Sequence, residues 1–356
     1  MQDTTYASKN IFKPLTSNHW MISIHMRYKE YFDNLLFKAY DLGVTVNTFN
    51  LRYRIRTSDN LAEKQTRKVQ YPALRLSMFK EKRPNLLITV GLHGDEIAGP
   101  LTILDQLEEI VRLSQQYNVG FVIFPSINPS GFDLRLRYNI TSRLMLDRDI
   151  PPNNDFMRYV KRHKVVDFLG EGDKCDTWVY SSDKNMVGRL PHETVRMHKQ
   201  LQKLPMRKIK GHLDLHQDCF TVELFEQNPH MPYHNGRGTY VYVFETEPYI
   251  PIMQKAEQIV PAIRNGFVDT GYKQKPIISA TGPKEIQIVP DTTIKLHSDA
   301  NGFVQWRDCS ITDLTDRLGV PYVAVVETTS KTPIEQAIAV NMVWIEGFMQ
   351  LMQKKK

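Results

Sequence analysis

Cysteine is scarce in this sequence. Its three cysteines, Cys175, Cys219 and Cys309, lie far apart and are odd in number. That excludes a disulfide framework as the basis of the fold, and also a cysteine-built metal knuckle. Long apolar runs are missing too: no uninterrupted stretch approaches the ~18 residues that a membrane span needs, so no membrane partner is expected. The opening segment, MQDTTYASKNIFKPLTSNHW, has no basic start followed by an apolar core. It gives no sign of a secretory leader, and a cytoplasmic protein is the expectation. Internal repeats, low-complexity tracts and Pro/Ser-rich linkers are absent as well, which excludes a repeat array or a linker-joined chain.

What is present describes a globular chain. Its 356 residues, 41% hydrophobic and 24% charged, suffice for one large domain or two ordinary ones with a sizeable core. The net charge of +7 comes from 46 Lys and Arg against 39 Asp and Glu. It is spread along the chain with no aromatic-interleaved basic motif, so a solvated surface outweighs a nucleic-acid site and no nucleic-acid partner is expected. The terminal basic run, Lys354 to Lys356, reads as a frayed tail.

Hydrophobic spacing organises the chain. Residues 27 to 42 carry apolar positions at helical intervals and end near Gly43, which predicts a helix. Strand-like runs follow in VTVNTFNLRYRI and ALRLSMF, and then in NLLITVGL, whose unbroken apolar character suits a strand covered on both faces. From Glu96 to Leu113, the positions of Ile97, Leu101, Leu104, Leu107 and Val111 mark an amphipathic helix. VGFVIF is another buried strand, after which Pro125, Pro129 and Gly131 break the chain into loop. Helices are predicted over 192–203 and 251–265, strands over KGHLDLHQDCF, GTYVYVFET and PYVAVVETT, and a terminal helix from about Pro333. Residues 150 to 190 are polar and irregular. Strands alternating with helices predict an α/β domain with a largely parallel sheet.

Ligands of such sheets bind at the carboxyl ends of strands, and the ionisable residues gather there. LLITVGLHGDE delivers His93 and Glu96 at the end of one strand. LDLHQD delivers Asp214, His216 and Asp218, which share one face because strand side chains alternate. VAVVETT delivers Glu327 after an apolar run. Two histidines and a carboxylate match the ligand set of catalytic zinc sites, and a further carboxylate can act as general base. Each piece has a plainer explanation. His93 and Glu96 also suit a helix N-terminus with a favourable acidic residue, His216 a satisfied strand-end histidine, and Glu327 a partner for a structural arginine. Asp214 can orient a ligand histidine or simply accept backbone hydrogen bonds. The ordered combination at three strand ends is what points to one site.

In order along the chain, GLHGDE, NPSGF, LDRDIP, LDLH and VVET resemble the zinc carboxypeptidase superfamily. That superfamily also includes the succinylglutamate desuccinylases and aspartoacylases. The likeness runs from roughly residue 84 to 345. The interval from Glu96 to His216 is close to that of the peptidase branch and longer than in the deacylases. CSITDLTDRLGVPYVAVVE is similar to the segment before the family's catalytic glutamate. The resemblance implies a three-layer α/β/α fold with a mixed, largely parallel central sheet, and one Zn(2+) per chain held by His93, Glu96 and His216, with Glu327 as general base and later acid. It implies an oxyanion-stabilising arginine at Arg137, in RYN, with Arg135 as second choice. LDRD resembles the family's LNRD, which implies that Arg148 and Asp147 bind the substrate, the guanidinium gripping a carboxylate in bidentate fashion. It divides the chain into residues 1–80, an N-terminal extension of open role (a small domain, added strands or a lid), and a catalytic domain over 81–356.

Two departures bear on the substrate. Asp147 stands where the family has asparagine, so a second anion lies beside the carboxylate-binding arginine. The family's tyrosine before its glutamate has no counterpart in NGFVQWRDCS, where Phe303 and Trp306 offer an aromatic cap but no phenol. The resemblance implies a side-chain specificity position near the uncharged Ile311 or Thr312. NPHMPYHNGRG, with His230, His234 and Arg237, reads as a surface turn or a cleft border, and Trp178 and Tyr180 as satellite packing or a cleft wall. The leading expectation is a zinc metallohydrolase of the metallocarboxypeptidase type, cleaving a peptide or peptide-like amide near a free carboxylate. An N-acyl amino acid deacylase with the same metal chemistry and a non-catalytic module with the same fold are the alternatives. The partner is a small peptide or acylated amino acid, and the sequence does not set the oligomeric state.

Overall fold

The computed structural model describes residues 26–56, 66–135, 160–161, 164–165, 186–187, 192–218, 237–277, 285–306 and 310–353. The first elements are helix α1 (Tyr28–Asp41) and strands β1 (Thr45–Arg56), β2 (Thr66–Met78) and β3 (Asn85–Val90). Helix α2 (Ala98–Gln116), strand β4 (Gly120–Phe124) and the short helix α3 (Pro129–Leu134) follow. Three two-residue strands, β5 (Val160–Lys161), β6 (Lys164–Val165) and β7 (Met186–Val187), form a small sheet of their own. Next come α4 (His192–Leu201), β8 (Ile209–Asp218), β9 (Thr239–Val243), α5 (Ile250–Ala256), β10 (Phe267–Ile277) and β11 (Glu285–His297). The chain ends with β12 (Phe303–Gln305), α6 (Ile311–Arg317), β13 (Tyr322–Thr329) and α7 (Ile334–Gln353).

Eight strands form the main sheet in the order β1-β2-β4-β3-β8-β13-β9-β12. The middle four, β4, β3, β8 and β13, run parallel to one another. Strands β1, β2 and β4 pair antiparallel at one side. On the other side β9 runs antiparallel to β13, and β12 parallel to β9. The sheet is therefore mixed with a parallel centre. Strands β10 and β11, which the apolar pattern did not announce, pair with each other as a separate long hairpin.

Alternation along the central strands divides the core. Leu86, Ile88, Val90, Leu213, Leu215, Ala324 and Val326 pack on one face with α1, α2, α5 and α7. Leu87, Val122, Phe124 and Val323 face the other way, with Met197 and Leu201 of α4 and Ile311 at the start of α6. Both faces are covered, which is why NLLITV shows no polar alternation: all six residues of β3 are buried. The result is three layers, α/β/α.

The segment expected as an N-terminal extension contributes α1 to one helical layer and β1 and β2 to the edge of the main sheet. Three expectations are corrected. The helix expected over 251–265 stops at Ala256, and Ala262 instead bridges to Thr239. The break expected after Pro125 contains helix α3, begun by Pro129 at its first turn and by Asn128, whose side chain accepts from Gly131 N at 2.9 Å. Phe303 lies fully buried in β12 and is core, while Trp306 packs against the small cluster of Tyr240, Val268, Leu296 and Val304. Among the described residues no helix is long and apolar enough to cross a membrane.

Candidate metal centre

The carboxyl ends of β3, β8 and β13 meet at one place. In the parallel register Glu327 of β13 lies opposite His216 of β8. Paired residues point to the same face, so the two side chains approach, with Glu327 Oε1 3.9 Å from His216 Nδ1. The β3 side is supplied by the loop that follows Val90. Gly91 adopts φ +65°, a conformation open to glycine, and turns the chain away from the sheet. Gly94 lies against the first turn of α3, where a Cβ would sit 2.1 Å from the Gly131 carbonyl carbon. Ile127 N and Asn128 N donate to the Val90 and Gly91 carbonyls at 3.1 and 2.8 Å. The motifs GLHGDE and NPSGF therefore touch, and each fixes the other.

That loop brings His93 and Glu96 to His216. Glu96 Oε1 lies 2.5 Å from His93 Nδ1, and Oε2 lies 2.8 Å from His216 Nδ1. The imidazole rings are 5.1 Å apart at 70°. Ligating atoms of all three residues fall within 4.8 Å of one another, and all three residues are buried. Glu96 does not serve as the cap of α2. The amide of Ala98 at the start of α2 instead donates to the side-chain oxygen of Gln217 at 3.3 Å, while Gln217 N donates to Glu96 Oε2 at 3.2 Å. Gln217, one residue past His216, thus takes over the capping task and helps hold the carboxylate.

A metal ion fits this donor set. His216 Nδ1 is buried without hydrogen-bond geometry to any group among the described residues, despite its proximity to Glu96. The other ring nitrogen, Nε2, lies 3.2 Å from Asp214 Oδ2. A histidine with one nitrogen on a carboxylate and the other turned on a second ligand is the arrangement of a metal-binding imidazole. The electrostatics agree. Burial opposes charge on Glu96, yet His93 and then His216 hold its carboxyl well below the usual range. Burial likewise opposes a proton on His216, but Asp214 and Glu96 outweigh it and raise its pKa well above the ordinary value. The cluster is built to keep positive charge at its centre, and a divalent cation supplies that charge with neutral imidazoles.

Asp214 is anchored in turn. Thr89 Oγ1 donates to Asp214 Oδ1 at 2.7 Å and lies 2.9 Å from His212 Nε2, while His212 Nδ1 lies 2.7 Å from Thr315 Oγ1 of α6. All are buried. His212, Thr89, Thr315 and Gln217 were not singled out from the sequence. A signal existed for two of them: His212 continues the alternation of Asp214 and His216, and Thr89 is the lone hydroxyl in an otherwise aliphatic stretch of β3.

The other expected residues fall as follows. Arg137, Asp147 and Arg148 lie outside the described residues, as do His230, His234, Trp178 and Tyr180. Arg135 closes α3 at φ 55° and directs its guanidinium to the Phe132 and Met26 carbonyls at 2.9 and 3.0 Å, over the Phe132 ring. Arg237 reaches Gln336 at 3.2 Å on the surface. Ile311 and Thr312 are buried at the start of α6. Asp218, also buried, continues the row of Asp214 and His216 and accepts a long contact, 3.5 Å, from Tyr240 Oη.

No protein-family profile matches the chain. No curated protein matches it either. Solved structures do. A candidate metallopeptidase from Shewanella amazonensis SB2B superposes with a TM-score of 0.52 at 16% identity, over 91% of this chain and 92% of that one. One from Shewanella denitrificans OS217 gives 0.50 at 15% identity, over 90% and 88%. One from Shewanella baltica OS155 gives 0.50 at 15%, over 91% and 91%. At such identities the likeness is one of fold, and the three-layer α/β/α architecture of this chain is the fold of these metallopeptidase structures, in line with its resemblance to the zinc carboxypeptidase superfamily.

Proposed function

We propose that this protein is a zinc-dependent hydrolase of the metallocarboxypeptidase type, cleaving a peptide or peptide-like amide bond near a free carboxylate. The observation that carries the reading is the convergence of His93, Glu96 and His216 within ligating distance, with Glu327 on the neighbouring strand opposite His216. Zinc bound there supplies Lewis acidity and a water of lowered pKa. His93 and His216 present neutral nitrogens and Glu96 one negative charge, which leaves the centre net positive. Glu327, with only 13% of its side chain exposed, is sheltered enough to take a proton from the attacking water and return it to the leaving amine. Asp214 holds His216 by its outer nitrogen. Arg137 takes the oxyanion and Arg148, beside Asp147, the substrate carboxylate, as the motif resemblance implies.

Elemental analysis of the purified chain, followed by hydrolysis assays on dipeptides, longer peptides and N-acylated amino acids, tests the proposal. About one zinc per chain and peptide turnover are the expected results. Preference for small acylated amino acids moves the substrate to the deacylase class, and failure to take up zinc removes the metal site. Glu327→Gln is expected to retain zinc and to lose turnover by at least ~10²-fold. An unaltered rate in that variant removes Glu327 from its role.

A further inference from the structure

Beneath the metal centre runs a chain of buried polar groups that the proposed reaction does not use. It passes from Thr315 on α6 to His212 on β8, to Thr89 on β3, to Asp214 on β8, and ends at His216. Residues 212, 214 and 216 share a face of β8, and the β3–β8 register sets Thr89 opposite Asp214. The chain therefore crosses between the two strands twice, inside the layer closed by α6.

Counting protons gives the chain a direction. Thr89 has one hydroxyl proton, and it goes to Asp214 Oδ1, a carboxylate that can only accept. Its oxygen must then accept from His212, so His212 carries its proton on Nε2. Burial holds His212 neutral, with its pKa lowered to about 4. The bare Nδ1 of His212 accepts from the Thr315 hydroxyl. Thr315 Oγ1 also lies 2.9 Å from the Thr312 carbonyl, and its single proton serves one of these acceptors at a time. With Oδ1 engaged by Thr89, Asp214 turns Oδ2 to His216 Nε2.

We infer that Thr89 and His212 are positioning residues that hold Asp214 against Nε2 of His216 and thereby reserve Nδ1 of His216 for the metal. The inference rests on the metal site proposed above and extends it two residues further from the ion. A hydroxyl and an imidazole placed only to fill the core could be exchanged for apolar groups of the same shape without consequence for the metal. A positioning chain could not.

Zinc affinity, measured by chelator competition, separates the two cases without recourse to turnover. Thr89→Val removes the donor to Asp214 at nearly constant volume and is expected to weaken zinc binding by ~10-fold or more. Thr89→Ser restores the hydroxyl and keeps wild-type affinity. Equal affinity in Thr89→Val and wild type overturns the inference, as does equal weakening by both substitutions. Should Thr89→Val fail to fold, His212→Gln and His212→Phe make the same comparison. The glutamine amide offers a donor toward Thr89 and an acceptor toward Thr315, whereas phenylalanine offers neither, and equal affinities again overturn it. Nitrogen-15 spectra of the metal-free wild type give an independent reading, with His212 expected as the Nε2–H tautomer. The Nδ1–H tautomer contradicts the proton count. A wild-type chain that binds no zinc overturns the metal site and this inference together. Zinc uptake that Thr89→Val leaves undisturbed overturns this inference alone.

Discussion

At the residue scale, the buried ionisable groups of β8 do different work according to what faces them. Burial disfavours the proton on both, but His216 meets two carboxylates that outweigh it and gains basicity, whereas His212 loses it to burial, which the charge of Asp214 only partly offsets. The consequence for stability has a definite sign. His212 is neutral in the folded chain down to about pH 4, while an unfolded histidine takes up its proton near ~6.5. Between those values the unfolded state binds a proton that the folded state does not, so stability falls as pH falls through this window and is unaffected by His212 above it. The full depression corresponds to ~3 kcal/mol at the acid end. Denaturant unfolding of metal-free wild type and His212→Gln from pH 7 to 4 should show the wild type losing that much more.

At the element scale, the site depends on two loops held in van der Waals contact. Gly94 against Gly131 admits no side chain, since an added Cβ would stand 2.1 Å from the carbonyl carbon. Gly94→Ala must push the loop carrying His93 away from α3, or α3 away from the sheet. Ligands must lie within a few tenths of an ångström of their ideal distances. The expected outcome is a zinc affinity lower by at least ~10-fold with the helical and strand content intact, read by titration and circular dichroism. Helix α3 is tied from the other side. Asp133 accepts from Arg27 Nε at 3.0 Å, Tyr28 N at 3.2 Å and Tyr71 Oη at 3.1 Å. Through it, α1 and β2 brace the turn on which Gly94 rests. Asp133→Ala strips these donors of a buried acceptor and should lower the unfolding free energy by ~2 kcal/mol, measured by denaturant titration.

At the scale of the whole molecule, a metal bound at the proposed site, between the loop after β3 and the end of β8, would cross-link the middle of the main sheet. Binding only to the folded chain stabilises it by mass action, ~2.7 kcal/mol when free zinc is 100 times Kd. Thermal unfolding should therefore rise with added zinc and fall with chelator. Glu96→Gln, which lacks the ligand charge, should show no such response. A response in that variant equal to wild type would show that the stabilising zinc sits elsewhere.

Much of this was legible beforehand because it rests on local spacing. The apolar run of β3, the helical period of α2 and the strand of β13 each bury a defined set of side chains, and the sequence pattern records that set directly. The strand-end positions of His93, Glu96, His216 and Glu327 follow from the same boundaries. The short span of α5, the helical turn of α3 and the β10–β11 hairpin were not legible, because long-range pairing and capping decide them. So the sequence by itself determined the layers of the fold and which residues could bind a metal, since periodicity and side-chain chemistry are properties of the chain. Only the tertiary structure decided that Gln217 caps α2 and leaves Glu96 to the histidines. It alone also placed Thr89, His212 and Thr315 in line behind Asp214. Those partners come from separate strands and helices, and only the packed sheet brings them within hydrogen-bonding distance.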